Sequence, residues 1–436
     1  MQQNKLFGKV FLISLVLIGL MASMYPATHP KATEPFVAGD LAWMLAASGL
    51  VLLMTPGLSF FYGGMVRAKN MLSTMLQSFI ALGVVSILWY AVGFSLAFGD
   101  SLGGWIGNPL SFTFFNNVGT APHPRIGSTL PFILFAAFQL KFAIITPALI
   151  TGSMAERIRF WSYVVMMVLF SLLIYCPLAH WTWHPEGILF QMGVLDFAGG
   201  TVVHISAGVT ALIGAWILGP RRKNLPQIDQ GPNASYVILG TGLLWFGWFG
   251  FNAGSALGAN TLAVEAFLNT HLASASAMLA WLLFDLALGR RPTATNACIG
   301  AVVGLVAITP AAGFVSYGPS IFIGIVSALI SNLAVQRFQR SAKIDDSLDV
   351  FACHGLGGIS GMLLTALFAR EGGLLLTGSF DLLLAHLKGL ALVLIFCSVG
   401  GYLVLKLTNL IIPLRVNENQ EHWGLDPSMH GECLPV

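Results

Sequence analysis

Two histidines, His204 and His354, lie inside long apolar stretches of the chain. An ionisable side chain placed in hydrocarbon is costly and as a rule functional. A neutral imidazole donates one hydrogen bond and accepts another. Two facing rings can therefore bond to each other and offer polar contacts along a narrow pore. Charging both is opposed by repulsion and desolvation, so the pair would share at most one proton, which suits a relay. His204 follows Asp196 by eight residues and His354 follows Asp349 by five. The other ionisable groups in apolar segments are Lys141, His271 and Asp285. A metal reading is weaker: there is no HExxH, and no His or Cys lies four residues from either histidine. The plain alternative is two unrelated packing histidines.

Aromatic residues form a second constellation. Phe138, Phe142, Trp183, Trp248 and Phe251 fall in or beside apolar segments, and Phe138 and Phe142 share a helix face. Aromatic faces attract a small cation, and stacked rings can close a pore to hydrated ions. For any single one, a lipid-facing or interfacial position is the default reading.

These residues need elements to hold them, and composition says which. The 436 residues are 56% hydrophobic and 9% charged, against about 25% charged in soluble proteins. Most of the surface must face lipid. A net charge of +3 without a basic stripe gives no reason to expect nucleic acid. The five cysteines show no disulfide or zinc spacing.

Residues 1–27 read as a signal peptide, with Lys5 and Lys9 before a short apolar run. Cleavage is expected, although no clean small-x-small site follows; a retained extra helix is the alternative. Eleven spans of membrane length follow, near 39–60, 71–98, 128–150, 160–181, 197–219, 235–254, 264–288, 295–314, 319–336, 350–369 and 384–410. This gives a transmembrane domain over 39–410 and a tail over 411–436. Fourteen basic residues fall in the loops after odd spans and at the C-terminal end, and four on the other side. The positive-inside rule then sets the mature N-terminus outside and the C-terminus in the cytoplasm. Loop 99–127 would cover the external face.

Spans five and ten, which carry the two histidines, are equivalent if spans 1–5 and 6–10 are two halves. Five crossings reverse the chain, so the halves would be inverted repeats with a site at the midplane between them. The expected fold is an all-α membrane protein of eleven transmembrane helices after a signal peptide: two inverted five-helix repeats plus a last helix.

The segment Asp196-Phe-Ala-Gly-Gly-Thr-Val-Val-His204 resembles the signature of the ammonium transporter family, Amt, related to Rh proteins. Further matches follow that family's order: Gly57-Leu-Ser-Phe-Phe-Tyr-Gly-Gly64, Phe142-Ala-Ile-Ile-Thr-Pro147, Ala155-Glu-Arg-Ile-Arg-Phe160, Trp248-Phe-Gly-Phe-Asn-Ala-Gly-Ser255 and Asp349-Val-Phe-Ala-Cys-His354. Gly424-Leu-Asp426 and His430-Gly-Glu432 in the tail also match. The resemblance spans about residues 39–432. It implies a homotrimer with one pore per subunit, in a bacterial inner membrane. It implies an external recruitment site at Trp183, Phe138 and Ser255, a phenyl gate at Phe142 and Phe251, and a twin-histidine pore at His204 and His354. Asp196 maps to the signature acid near the pore entrance, where capping a helix and attracting a cation weigh equally. Asp349 is read as a cap, Asp285 as the partner of a loop arginine, and His271 as structural.

Ammonium resembles potassium in size, but only ammonium can donate hydrogen bonds and lose a proton. Carrying an ion across a dry barrier of about 30 Å is costly, and neutral ammonia avoids most of that cost. The implied function is transport of ammonium or ammonia, with no enzyme chemistry, metal or cofactor. A membrane ammonium sensor is the alternative. The resemblance also implies a PII-type nitrogen regulator docking on the cytoplasmic face. Lys141 departs from the family pattern, which has an uncharged residue beside the first gate phenylalanine. It is expected to face a subunit boundary rather than the pore.

Overall fold

The structure is a computed structural model that describes residues 2–222, 233–341 and 343–433. Lys223, counted above among the basic loop residues, and the last three residues of the tail lie outside the described residues. Among the described residues there is no β-strand, as a lipid-embedded chain without a closed barrel requires: each helix satisfies its own backbone.

An apolar helix α1 (Gln2–Met24) precedes the bundle and is exposed along most of its described length. The eleven expected spans follow: α2 (Ala38–Gly63), α3 (Ala68–Phe98), α4 (Phe132–Met154), α5 (Phe160–Gln191), α6 (Gly200–Leu218), α7 (Ala234–Gly254), α8 (Thr261–Ala287), α9 (Ala294–Ile308), α10 (Tyr317–Gln339), α11 (Phe351–Phe368) and α12 (Asp381–Ile411). With α1, eleven helices are long and apolar enough to cross a membrane, and α9 is shorter. The eighth span was expected to reach residue 314. It stops at Ile308 because Pro310, two residues on, has no N–H with which to continue the helical hydrogen-bond ladder. The freed segment folds over the start of α6, where the Phe197 N–H donates to the Pro310 carbonyl at 3.1 Å.

The core lies between the two halves. Helix α2 packs along α7, α4 along α6, and the first turns of α6 and α11 meet each other. Loop 99–127 covers one end of the bundle, here the loop face. It is held by Phe112 and Phe115 against Phe94 and by the Trp105–Trp181 ring pair. The tail covers the opposite end, the tail face. There α13 (Glu418–Trp423) starts with an Asn417–Gln420 capping box. The Asp426 carboxylate accepts from the Leu72 and Ser73 N–H groups. Arg415 binds Glu421 in a bidentate pair.

Candidate functional site: a twin-histidine pore

Both histidines sit on π-helical turns, His204 on Gly200–Ile205 and His354 on Phe351–Gly355. Such turns are rare and cluster at functional sites. Each is set up by an aspartate eight residues before the histidine. Asp196 Oδ1 accepts from Gly199 N (2.9 Å) and Gly200 N (2.7 Å). Its Oδ2 accepts from Thr201 N (2.7 Å) and Thr201 Oγ1 (2.5 Å). Gly199 has φ +113°, a conformation that excludes ordinary side chains. In the other half, Asp346 Oδ2 accepts from Phe351 N at 2.7 Å.

This corrects the sequence reading of Asp349 as the cap. Asp349 has φ +55°, and its Oδ2 instead accepts from Gln339 Nε2 at 3.3 Å. The signal that could have found Asp346 was present in the spacing: Asp196 to His204 and Asp346 to His354 are both eight residues.

Glycines four residues after each histidine let the two helices cross. A Cβ on Gly208 would lie 2.3 Å from Gly355 N, and one on Gly358 would lie 2.9 Å from the Gly200 carbonyl oxygen. The crossing is thus reciprocal, as inverted repeats demand. It brings His204 Nδ1 and His354 Nδ1 to 3.3 Å, with the rings 5.4 Å apart and 25° from parallel. In that contact one Nδ1 carries the proton and the other accepts it. His204 Nε2 is buried and has no partner among the described residues.

Trp248 fixes the His204 ring by stacking on it at 5.4 Å, while its indole N–H donates to Thr309 Oγ1 at 2.9 Å. The sequence reading had placed Trp248 among the aromatics without this role. The lumen beside His204, Trp248, Phe251 and His354 has a volume of about 10 Å³. A second space of about 10 Å³ continues it past His354, Tyr62 and Cys353 towards Leu348. Each is at the lower limit for one water-sized molecule.

Towards the loop face, Phe142 and Phe251 close the path with ring centroids 4.2 Å apart. Phe138 packs on Phe142 at 5.0 Å, and Trp183 stands edge-on to Phe142 at 5.8 Å. The Trp183 indole N–H donates to the Asp196 carbonyl at 3.2 Å. Ser255 donates to the Phe251 carbonyl at 2.9 Å, which leaves its oxygen lone pairs for another donor. The structure therefore gathers all eight residues singled out above around one path. The Asp196 carboxylate is already engaged by four donors, which leaves it no direct contact to offer a ligand.

At the tail face the path opens beside a cavity of about 580 Å³ lined by Arg67, Glu156, Arg221, Arg222, Asp345, Asp346 and Asp349. Arg157 is fully buried beside it. Its guanidinium binds the Ser153, Gly219 and Asp345 carbonyls, tying the ends of α4 and α6 to the segment before α11. Burial lowers the Arg157 guanidinium to about 10. Glu156 is held below the usual carboxylate range: burial opposes this, but hydrogen bonds and charge from Arg67 and Arg221 outweigh it. Burial pushes Asp346 up to about 6. Asp349 is pushed up to about 8 by burial and by the nearby Asp346. Asp285 pairs with Arg290 at 3.5 Å, as expected, and also accepts from Asn296 and Asn332.

Lys141 does not line either lumen. It shares a partly exposed strip of α4 with Ile133, Ala137 and Leu140.

The architecture and this path define a multi-pass membrane transport protein. The chain matches the profile described as Ammonium Transporter Family over residues 42–433. It is 45% identical over 406 residues to a protein named "Putative ammonium transporter" of Methanothermobacter thermautotrophicus, covering 91% of this chain and 98% of that one. It is 42% identical over 424 residues to an ammonium transporter of Aquifex aeolicus, covering 96% and 98%. Among solved structures it superposes on Saccharomyces cerevisiae Mep2 with a TM-score of 0.81, 34% identity and coverage of 91% and 94%. It superposes on a "Sensor Amt Protein" with a TM-score of 0.82, 32% identity and coverage of 90% and 98%. The chain belongs to the ammonium transporter family, whose members are transport proteins and not enzymes.

Proposed function

We propose that this protein moves ammonium across a membrane by binding the ion, removing its proton and passing neutral ammonia along the histidine pair. The observation that carries this reading is the 3.3 Å contact between His204 and His354 inside a lumen of about 10 Å³. An ion entering that lumen would exchange its hydration shell for apolar walls, a transfer of prohibitive cost. A neutral molecule the size of water meets no such barrier.

In this reading Trp183 and Phe138 supply cation–π attraction, Ser255 accepts a hydrogen bond, and the Asp196 charge biases the mouth towards cations. Phe142 and Phe251 form the gate at which the proton is lost. The bonded imidazoles are built to carry that proton: one ring accepts it at its outer nitrogen and the partner releases one on the far side.

The proposal extends to the protein's setting. The loop face lies outside and the tail face in the cytoplasm of a bacterial inner membrane, in keeping with the distribution of basic residues. Residues 1–27 act as a signal peptide, 39–410 form the transport domain and 411–436 the cytoplasmic tail. The working unit is a homotrimer. A PII-type nitrogen regulator would meet the tail face, where Arg67, Arg221 and Arg222 surround the exit cavity. The likeness to a "Sensor Amt Protein" supports a second reading, a membrane sensor of ammonium.

The deciding experiment places purified protein in liposomes on a supported-membrane electrode and applies ammonium and potassium pulses. A current with ammonium alone, lost in His204→Ala, is the expected result. Internal alkalinisation without current would replace proton carriage with a neutral ammonia channel. Silence in both assays would overturn transport in favour of sensing.

A further inference from the structure

Lys141 lies mid-span on α4, half-buried, and makes no hydrogen bond or ion pair among the described residues. A lysine at that depth needs a partner or water, and its ammonium can only donate. A second ionisable side chain within a span shares this condition. His271 lies on α8, exposed, its ring 5.4 Å from that of Trp245 at a 38° tilt, and without a hydrogen bond among the described residues.

The two lie at matching depth. Helices α4 and α8 are the third and seventh spans, so both start at the loop face. Lys141 is nine residues below the start of α4 and His271 ten below that of α8, which is about 14 and 15 Å at the helical rise. Between the exposed or partly exposed Glu265 and Ser276, His271 is the one polar side chain of α8 that is not buried.

The helices also lie in the right order. Helix α4 packs on α2, α2 on α7, and α7 on α8. One side of the bundle thus presents Lys141, the adjoining side presents His271, and α2 and α7 lie between them. That surface carries exposed glycines, Gly49 on α2, Gly83 on α3 and Gly242 on α7, each with open space where a Cβ would stand. Small residues are what close helix approach in a membrane requires.

We infer that the Lys141 ammonium of one copy donates a hydrogen bond to a ring nitrogen of His271 in the next copy, so that the α4 side of each subunit seats on the α8 side of its neighbour. Two different patches at one depth make a head-to-tail contact, the kind that closes into a ring when its rotation is a whole fraction of a turn. The inference rests on the homotrimer reading above and assigns the polar contact that fixes its register.

The test co-expresses Lys141→Cys chains with His271→Cys chains, both carrying Cys433→Ser to remove the exposed thiol. Membranes are treated with a short bifunctional thiol reagent. The expected result is a denaturing-gel band at twice the chain mass in the co-expressed sample and in neither variant alone. An assembled protein by native mass without that band overturns the contact but leaves the trimer standing. A monomer by native mass overturns both. Independently, Lys141→Met and His271→Leu should each lower the temperature at which the assembly dissociates in detergent, and the double variant should lower it no further. Additive losses would mean that the two side chains do not meet.

Discussion

The turns carrying His204 and His354 share a backbone plan but not its electrostatic finish. In the first, the Asp196 carboxylate is saturated by three peptide N–H groups and a threonine hydroxyl. In the second, Asp346 accepts from Phe351, and its Oδ1 is buried without a partner among the described residues. The first turn is locked. The second keeps a carboxyl raised to about 6, beside Asp349 at about 8 and next to the charged tail-face cavity. Duplicating one motif in opposite orientations therefore supplies two matching ring positions while leaving each end of the path free to acquire its own chemistry.

The sharpest way to break this comparison is to remove the two caps in turn. Asp196→Ala orphans three buried N–H groups, each costing about 1–3 kcal/mol. We expect loss of folded protein, or a fall in ammonium transport of about a hundredfold or more, read by size-exclusion yield and by liposome flux. Asp346→Ala should cost less in both assays. Equal losses would mean that the two caps are equivalent.

The crossing glycines come next. Gly208→Ala puts a methyl group 2.3 Å from backbone, against 2.9 Å for Gly358→Ala. Overpacking of this kind costs about 1–3 kcal/mol, so Gly208→Ala should reduce flux about tenfold or more and Gly358→Ala less. A reversed order in liposome assays would show that the crossing is not what sets the ring contact.

A pH titration probes the second half alone. A carboxyl whose folded pKa is raised contributes stability that is fully present below its unfolded value of about 4 and is lost as pH rises through the folded value. For Asp349 that loss runs from about pH 4 to about pH 8. Thermal unfolding in detergent should show Asp349→Asn with a shallower decline across this window. An unchanged slope would count against the raised carboxyl.

The smallest effect is expected at the loop-face mouth. Ser255→Ala removes one hydrogen-bond acceptor, worth about 0.5–1.5 kcal/mol, and should raise the half-saturating ammonium concentration a few-fold at unchanged maximal current. A fall in maximal current with unchanged half-saturation would place Ser255 at the gate instead.

Much of this was legible in the sequence, and for identifiable reasons. Hydrocarbon penalises every uncompensated polar group, so His204, His354 and Lys141 stood out against apolar runs, and nine of the eleven spans came within a few residues of their observed ends, the fourth stopping ten residues short of Gln191. The eighth ran too long because its apolar composition continues past Pro310, while the missing N–H of that proline does not depend on hydropathy. Asp349 was taken for the cap because it immediately precedes its span. The chain instead adopts φ +55° there and reaches back to Asp346.

The sequence by itself thus determined the elements, their number and the polar residues they carry, because lipid burial is decided span by span. Tertiary structure alone decided which carboxylate caps the second turn, that Trp248 clamps His204, and that the two imidazoles meet. Those outcomes depend on helices close enough to touch, and that closeness comes from glycines meeting the backbone of a segment about 150 residues away.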